Sequence, residues 1–570
     1  MQNDNFAIDR RGFLKCAGVV GGSTALAALA GCSPNESKVS SDSGTQSKVA
    51  DTTTSEVRHT WEIKPAAITD IAETKEFDIV VVGAGMAGIN AAEAAARNGA
   101  HVAVIEQSSD ISLRGADNGT INCRYQLEEE KDYEEISPEN AARLLMQFSQ
   151  QTTNYDLIYT WASKSGKVFD YLDDLLAARN LDMVAATSPT AKYGWDQLDE
   201  RLRVYPDAVT FTNGNDNGYW REDGKATQYY LGETLVESAE GNGAEFFYNT
   251  HAEQLVGDAS SGITGVIVTA QDGSHVQFNA KKGVILATGD ISGNEEMVDC
   301  FAPIAKRADS SCYMPEGGNK GDGMLMGAWA GAAFSKSGAA PMIHQWTIDS
   351  VSFNLSSFVM CWLAVDGNGR RYASEMPFEP YLTNARMNAA SNIAWSIFDA
   401  DYETYMQKQL PTTYESVLEG LSEAIEEKVA DGTLLRADSL EELAKKMEVP
   451  ADVFTSEVST FNSWYDKGED SQFGVPERFL SKVQTAPFYA VRNLCSVLVI
   501  PFGLHVDKNS QVCTEEDKPI DGLFAVGNMQ GDFFGVSYPV HYPGISHGRA
   551  ITFGQLVGEA LAKGTVISEL

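Results

Sequence analysis

Three glycines, Gly83, Gly85 and Gly88, stand in GxGxxG spacing. That pattern has a chemical use: a backbone cradle for the diphosphate of a dinucleotide. Gly83 makes the tight turn, Gly85 lets the backbone approach the phosphates, and Gly88 lets a helix close on a strand. Ala84, Met86 and Ala87 complete the cradle. Glu106 follows Gly83 by 23 residues, the right reach for a carboxylate that accepts ribose hydroxyls, and Gln107 is next to it. The elements that must position these residues flank them. Residues 77–82 are apolar and β-branched, as a buried parallel strand is. Residues 89–98 are Ala-rich and helical, with Asn98-Gly99 as the stop. Residues 100–105 form a second strand. The N-terminus of the intervening helix offers unpaired N–H groups and partial positive charge to the phosphates.

More polar and glycine-bearing segments follow. Residues 114–122 form a polar loop containing Arg114, Ala116, Asn118 and Gly119, suited to the diphosphate region of such a cofactor. Ala252 lies on a strand before a hairpin at 262–270 and 273–280. Ala287-Thr288-Gly289 ends a strand in a glycine turn, and Asp322 opens a helix within Gly321-Asp322-Gly323.

The whole chain has 570 residues with 43 basic and 79 acidic side chains, a net charge of −36. Such a field repels a phosphate backbone, so no nucleic-acid partner is expected. With 43% hydrophobic and 10% aromatic residues, most of the chain can bury a core. The length allows two or more domains. Of the eight cysteines, none stands in CxxC or CxxCH spacing, so neither a metal cluster nor haem attachment is expected. Cys123, Cys300, Cys312, Cys361, Cys495 and Cys513 read as isolated buried thiols.

The start of the chain reads as an address. Asp9-Arg10-Arg11-Gly12-Phe13-Leu14-Lys15 has the form of a twin-arginine export signal. A Gly/Ala-rich run over 16–30 ends in Leu29-Ala30-Gly31-Cys32, a lipobox in form. Residues 1–31 are expected to be removed and Cys32 lipidated, anchoring the protein to the outer face of the cell membrane. Residues 32–74 are expected to be a flexible tether, Ser/Thr/Asp-rich from 33 to 60. Twin-arginine export carries folded proteins, commonly with a cofactor already loaded.

In order along residues 75–570, the motifs resemble the FAD-binding subunit family of fumarate reductase and succinate dehydrogenase. They are GAGMAG with Glu106, the ATGD turn at 287–290, and Gly321-Asp322-Gly323. Then come Asp366-Gly367-Asn368-Gly369-Arg370-Arg371-Tyr372 with Glu375, and Ser396-Ile397-Phe398-Asp399. The last are Gly522 to Asn528 and Thr552-Phe553-Gly554. Ala92 and Gly99 fill further small-residue positions usual in FAD proteins. The resemblance implies FAD as cofactor and an α/β architecture: a two-dinucleotide-fold FAD domain with an inserted α+β capping domain. The expected segments are 75–339 and 489–570 for the FAD domain and 340–488 for the cap. It also implies FAD contacts at Asn528, Gly544, Ile545 and Ser546.

Several positions depart from the fumarate pattern. The cap reads Phe398-Asp399-Ala400-Asp401-Tyr402-Glu403, without the arginine that donates a proton in fumarate reductases. The substrate-clamping stretches read 498–503 LVIPFG and 540–545 VHYPGI. His344 falls at a substrate-facing histidine position. One imidazole cannot neutralise two carboxylates, so fumarate and succinate are not expected substrates. Glu375 matches a proton-relay glutamate, but its arginine partners are missing, and a surface salt bridge is as good a reading. Arg549 reads as a solvated or structural charge.

Tyr542-Pro543-Gly544 is similar to the segment of 3-ketosteroid dehydrogenases whose tyrosine hydrogen-bonds the substrate ketone. The C-terminal stretch also resembles flavin reductases of respiring anaerobes that act on enoates and enones. The chemistry implied is hydride transfer to the β carbon of an activated alkene, with a proton supplied at the α carbon. Tyr542 is the first candidate for acid or electrophile; His541, His547, Tyr538 and His344 follow. Phe502, Phe533, Phe534 and Tyr538 could line a flat apolar substrate or simply pack the core. Three readings stay open: an exported ene-reductase with a small unsaturated carbonyl substrate, a steroid-type 1,2-dehydrogenase, and a flavin-carrying lipoprotein without alkene turnover. With no haem or FMN-attachment motif in the chain, electrons would come from a separate membrane, FMN or haem partner.

Overall fold

The computed structural model describes residues 59–130, 133–186, 208–216, 219–311, 318–344, 351–352, 355–356, 360–376, 379–409, 420–539 and 541–570. The export signal, Cys32 and Cys312 lie outside them.

Parallel pairing sets the frame. Strand β1 (Ile71–Val82) leads through a turn into helix α1 (Met86–Arg97), then β2 (Val102–Ile105). Helix α2 (Tyr155–Ala177) follows, then β3 (Glu245–Phe247), β4 (His251–Asp258), β5 (Gly262–Thr269) and β6 (His275–Leu286). Ile79, Val80, Val81, Val102, Ala103, Val284, Ile285 and Leu286 are fully buried, as expected for strands covered on both faces. β6, β1, β2 and β3 lie side by side in parallel, with Val82 opposite Ile105 on one flank and Leu286 on the other. β4 and β5 form an antiparallel branch on β6.

β1 begins earlier than its hydrophobic pattern. Residues 73–76 are polar or charged, and 71–76 are partly or fully exposed, yet they pair with β6 from His275 onward. Residues 60–62 form a short 3-10 turn whose Trp61 packs against Phe301 and Phe334. His59 and Thr60 bond Glu296. The expected tether to residue 74 therefore overreaches: 59–74 belong to the folded body, because one tryptophan and a ladder of backbone bonds outweigh a polar composition.

The chain then forms α3 (Asp322–Trp329) and β7 (Met342–His344) and enters the cap. There β8 (Leu363–Asp366), helix α4 (Glu379–Met387), β9 (Ala394–Asp399), β10 (Leu434–Ala437), α5 (Ala451–Lys467) and β11 (Phe488–Arg492) build an antiparallel sheet in the order β8-β9-β11-β10. β11 pairs with β9 and β10 through Arg492. The cap thus runs past the expected boundary at 488. The return strand β12 (Ser496–Val499) pairs with β7 and with Ser310–Ser311. Arg386 from α4 ties this crossing: it donates to Asn493 O and to both oxygens of Asp309 at 3.0 and 2.7 Å. β13 (Gln511–Cys513), β14 (Pro519–Ala525) and the C-terminal helix α6 (Ile545–Lys563) complete the FAD domain, β14 pairing in parallel with β6.

One clasp braces the tail that leads to α6. His505 sits between two carboxylates, Nδ1 at 2.5 Å from Asp532 and Nε2 at 2.7 Å from Asp517. Asp532 also accepts from Ser335 Oγ and Lys336 N. The Asp532 hydrogen bond first, then its charge and the Asp517 bond, raise the His505 pKa against the cost of burial. A raised folded pKa means stability present below the unfolded value of about 6.5 and lost as pH rises through the folded one. The urea midpoint of the wild type should exceed that of His505→Gln by most at about pH 6 and below, the gap closing as pH rises through the raised His505 pKa. A gap that is constant or widens with pH would refute the clasp.

Candidate active site

Two helix N-termini define the cleft. α1 and α6 cross at close range because Gly554 and Gly558 face Ala87 and Ala91. A Cβ on Gly554 would lie 2.6 Å from Ala87 O, and one on Gly558 2.2 Å from Ala91 O. The paired spacing makes the helices run in the same sense. Ala87 is the second residue of α1 and Gly554 the tenth of α6. The start of α6 therefore lies eight residues beyond that of α1, ~12 Å at helical rise. Neither helix has a side-chain cap or an acid in its first turn, so both present open N–H groups and positive dipole ends along one line.

The first N-terminus fits the diphosphate. A Cβ on Gly83 would collide with Ala287 O at 2.5 Å, and one on Gly88 with Gly83 O at 1.8 Å. A Cβ on Gly85 would meet nothing within 4 Å. The first two glycines are needed by the protein; the third leaves room for a ligand. Gly85→Ala should therefore fold as the wild type but hold FAD roughly tenfold or more weakly, whereas Gly88→Ala should disrupt the turn itself. Equal FAD affinity in Gly85→Ala would remove the diphosphate from this position. Glu106 directly follows β2, 7% exposed, accepting from Ala84 N and Ser108 N. Gln107 points to solvent. Ala252 lies on β4, and Ala287 and Thr288 cross the tip of β1; Thr288 Oγ1 accepts from Gly323 N. Asp322, at the start of α3, has His251 Nε2 at 3.7 Å. That bond above all raises His251 to about 9.

Some expected cofactor residues serve the scaffold instead. The Asn118 amide is buried and spent on Ala116 O, Val209 O and Gln228. Gly119 donates its N–H to Gly544 O, and its carbonyl takes Trp161 Nε1–H. This pair pins the loop to the start of α6. A Cβ on Gly119 would lie 2.8 Å from Ile545 N. Asn528 accepts from Arg549 and Ser546 through its Oδ1.

The second N-terminus gathers titratable groups. Gly544 caps α6 with φ +69°, and Ile545, Ser546 and His547 form its first turn. Tyr538 is buried near Ser546, its ring stacked on Phe534 at 4.8 Å. Burial raises its pKa, while the charges of Arg549 and Arg114 oppose the rise. His547 Nδ1 lies 2.9 Å from Asp117 O, and burial pushes the imidazole down to about 4. Asp117 is pushed by burial up to about 6, opposed by the charge of His344 on β7. Arg114, Asp117, Ser546 and His547 keep part of their surface accessible at this depth, as side chains lining an internal cleft do. Asp117 was not singled out by sequence reasoning; a carboxylate inside the cofactor loop was the signal available.

Tyr542 is 1% exposed, its ring edge-on to Trp161 at 5.5 Å. His541 is fully buried and stacked on Phe148, a packing position. Phe502 packs with Phe301 and Phe334, away from the Phe533–Phe534 pair. Glu375 is not a surface charge, and it does have an arginine partner. It is 3% exposed and held by Arg371 within the cap, with Asp470 on the same guanidinium. Arg549 is 0% exposed and so not solvated. Cys123, Cys361, Cys495 and Cys513 are buried free thiols, but Cys300 is exposed.

Comparison with known proteins agrees with this geometry. Residues 78–541 match the FAD binding domain family. The chain is 24% identical over 534 residues to a probable fumarate reductase of Shewanella frigidimarina (strain NCIMB 400), covering 89% of this chain and 82% of that one. It is 25% identical over 532 residues to the vinyl phenol reductase of Lactiplantibacillus plantarum, covering 87% and 98%. The fold superposes on a 3-ketosteroid-delta4-(5alpha)-dehydrogenase from Rhodococcus jostii RHA1 with TM-score 0.68 at 23% identity, covering 88% of this chain and all of that one. With a diphosphate cradle open at Gly85 and a family match across most of its length, the chain belongs to the FAD binding domain family and is an FAD-dependent oxidoreductase.

Proposed function

We propose that this oxidoreductase reduces the C=C bond of a small α,β-unsaturated carbonyl compound, from a lipid-anchored position outside the cytoplasm. The donor-lined start of α6 carries the reading. Tyr538 and Tyr542 stand before it, and the nearest imidazole, His547, is neutral at physiological pH because its pKa falls to about 4. Phenols and backbone N–H groups suit a developing enolate, and the arginine and histidine stretches of a dicarboxylate clamp read LVIPFG at 498–503 and VHYPGI at 540–545 here. The fumarate and vinyl phenol reductases among the relatives supply the class of bond.

Bound FAD supplies hydride to the β carbon of the alkene. Gly85 and the start of α1 would hold its diphosphate, Glu106 its ribose, and residues 544–546 its far end. Tyr542 donates the proton at the α carbon, and Trp161 fixes its ring. Phe534 and Tyr538 offer a flat apolar wall that excludes water. Asp117, with its pKa near 6, can refill the donor with a proton near neutrality. Cys32 carries the anchor, and a separate membrane, FMN or haem protein supplies electrons in an anaerobic respiratory role.

The test is anaerobic reoxidation of the dithionite-reduced holoprotein by fumarate, urocanate, cinnamates, itaconate and enone steroids. Rapid reoxidation by an enone or an aromatic enoate is expected. Reoxidation by fumarate alone would refute the reading of the missing clamp, and silence towards every alkene would refute ene reduction.

A further inference from the structure

Arg549 is a buried cation without an anion. Its side chain is among the largest fully buried ones in the protein. Nη1 donates to Gln530 O at 3.2 Å and Nη2 to Asn528 Oδ1 at 2.7 Å, while Nε has no acceptor. The guanidinium lies over Phe534 at 4.6 Å and Phe533 at 5.3 Å. Among the described residues no carboxylate forms an ion pair with it. The other buried arginines show the contrast: Arg371 holds Glu375 and Asp470, and Arg386 holds Asp309.

The charged and titratable groups that face this site are few. Tyr538 lies within electrostatic reach of Arg549, and Arg114 acts on the same phenol. Asp290 stands beyond Asn528, with Asn528 Nδ2 3.5 Å from its Oδ2. It is held by Ser292, and burial raises its pKa. Burial likewise lowers Arg549, to about 9. The cation is thus poorly stabilised in the oxidised protein, a cost a fold does not carry without return.

Reduction of a bound flavin would bring an anion to the start of α6, where residues 544–546 are expected to meet the far end of FAD. When a flavin takes up two electrons and one proton, the proton goes to N5 and one negative charge stays on the pyrimidine end. Arg549 stands one turn inside α6, ~6 Å along the axis from Ile545. Asn528 links it to Ser546 in the first turn, its Oδ1 accepting from both. In this dry surrounding, charge reaches far with little screening.

We propose that Arg549 is a positioning residue that stabilises the anionic reduced form of the bound flavin, acting through Asn528 and the first turn of α6. The inference rests on FAD binding and not on the proposed substrate. An enzyme with a different alkene, or none, would leave it intact.

The experiment is an anaerobic redox titration of the FAD-loaded full chain against indicator dyes, for wild type, Arg549→Gln and Arg549→Lys. Arg549→Gln is expected to shift the oxidised-to-reduced equilibrium at least tenfold towards oxidised flavin, a midpoint about 30 mV lower for a two-electron couple. Arg549→Lys, which keeps the charge, is expected to recover most of that shift. An unchanged midpoint in Arg549→Gln overturns the proposal. So does a lysine variant as low as glutamine, since lost shape rather than lost charge would then be responsible. If Arg549→Gln does not hold FAD, the wild type decides. One proton per two electrons gives a slope of about 30 mV per pH unit from about pH 6 to about pH 8. A slope of about 60 mV per pH unit across that range means a neutral reduced flavin and overturns the proposal.

Discussion

Tyr542→Phe is expected to lower the rate of alkene reduction by about 10²-fold or more, the usual size of a general-acid contribution. The variant should keep its fold and its flavin. The Tyr542 ring is braced by Trp161, whose Nε1–H is bonded to Gly119 O, while Gly119 N–H is bonded to Gly544 O. Tyrosine ring, indole, loop and helix cap are one packed unit, and phenylalanine fills the same place in it. Removing the hydroxyl leaves this ring packing in place. Stopped-flow reoxidation of the reduced variant, with FAD content measured in parallel, gives the answer. Full activity would exclude Tyr542 as the acid and transfer the role to Tyr538, which is buried near Ser546 at the start of α6. A loss matched by a loss of FAD would show the residue to be structural.

Arg371→Met should cost about 3–5 kcal/mol of cap stability, the range for removing one partner from a buried ion cluster. Arg371 Nε and Nη2 grip Glu375 at 2.8 and 2.5 Å, and Nη2 reaches Asp470 at 2.9 Å. All three side chains are essentially without solvent contact. Trp464 and Phe473 cover the guanidinium at 4.9 and 4.8 Å. Methionine fills much of the volume but leaves two carboxylates facing each other in a dry interior. Burial opposes ionisation of Asp470, yet the Arg371 hydrogen bond holds its pKa below the ordinary value. Without the arginine, both carboxyls should titrate high. The variant should therefore regain stability as pH falls and they become neutral, and Arg371→Met/Glu375→Gln should recover part of the loss at neutral pH. Urea unfolding followed by tryptophan fluorescence measures both effects. A small, pH-independent loss would mean that the cluster is solvated.

The sequence by itself determined the first half of the site. GAGMAG between a β-branched run and an alanine-rich helix leaves one physical solution: the chain must turn tightly, and only glycine tolerates φ +106° at Gly83 with Ala287 O against its Cα. Glu106 was legible from its 23-residue distance from Gly83 at the end of the second strand. Such features are local, set by backbone sterics and hydrophobic period, so neighbouring residues suffice to read them. The spacing Gly554–Gly558 is also visible in the chain, but its meaning is not, because the surface it fits, Ala87 to Ala91, is more than 460 residues away.

Tertiary structure decided the charges. Glu375 is a surface residue by composition and a buried one by contact, because Asp470 and two aromatic rings arrive from a distant helix and loop. Arg549 is a solvated cation in a helical pattern and a desolvated one in the fold, because Phe533, Phe534, Asn528 and Gln530 close around it. Burial and partner choice fix a pKa, and both are sums over residues remote in sequence. For the same reason Asp117 entered the site only when His344 and α6 were brought against its loop. Backbone conformation was legible in the sequence; the electrostatics that tune the chemistry came from the packing.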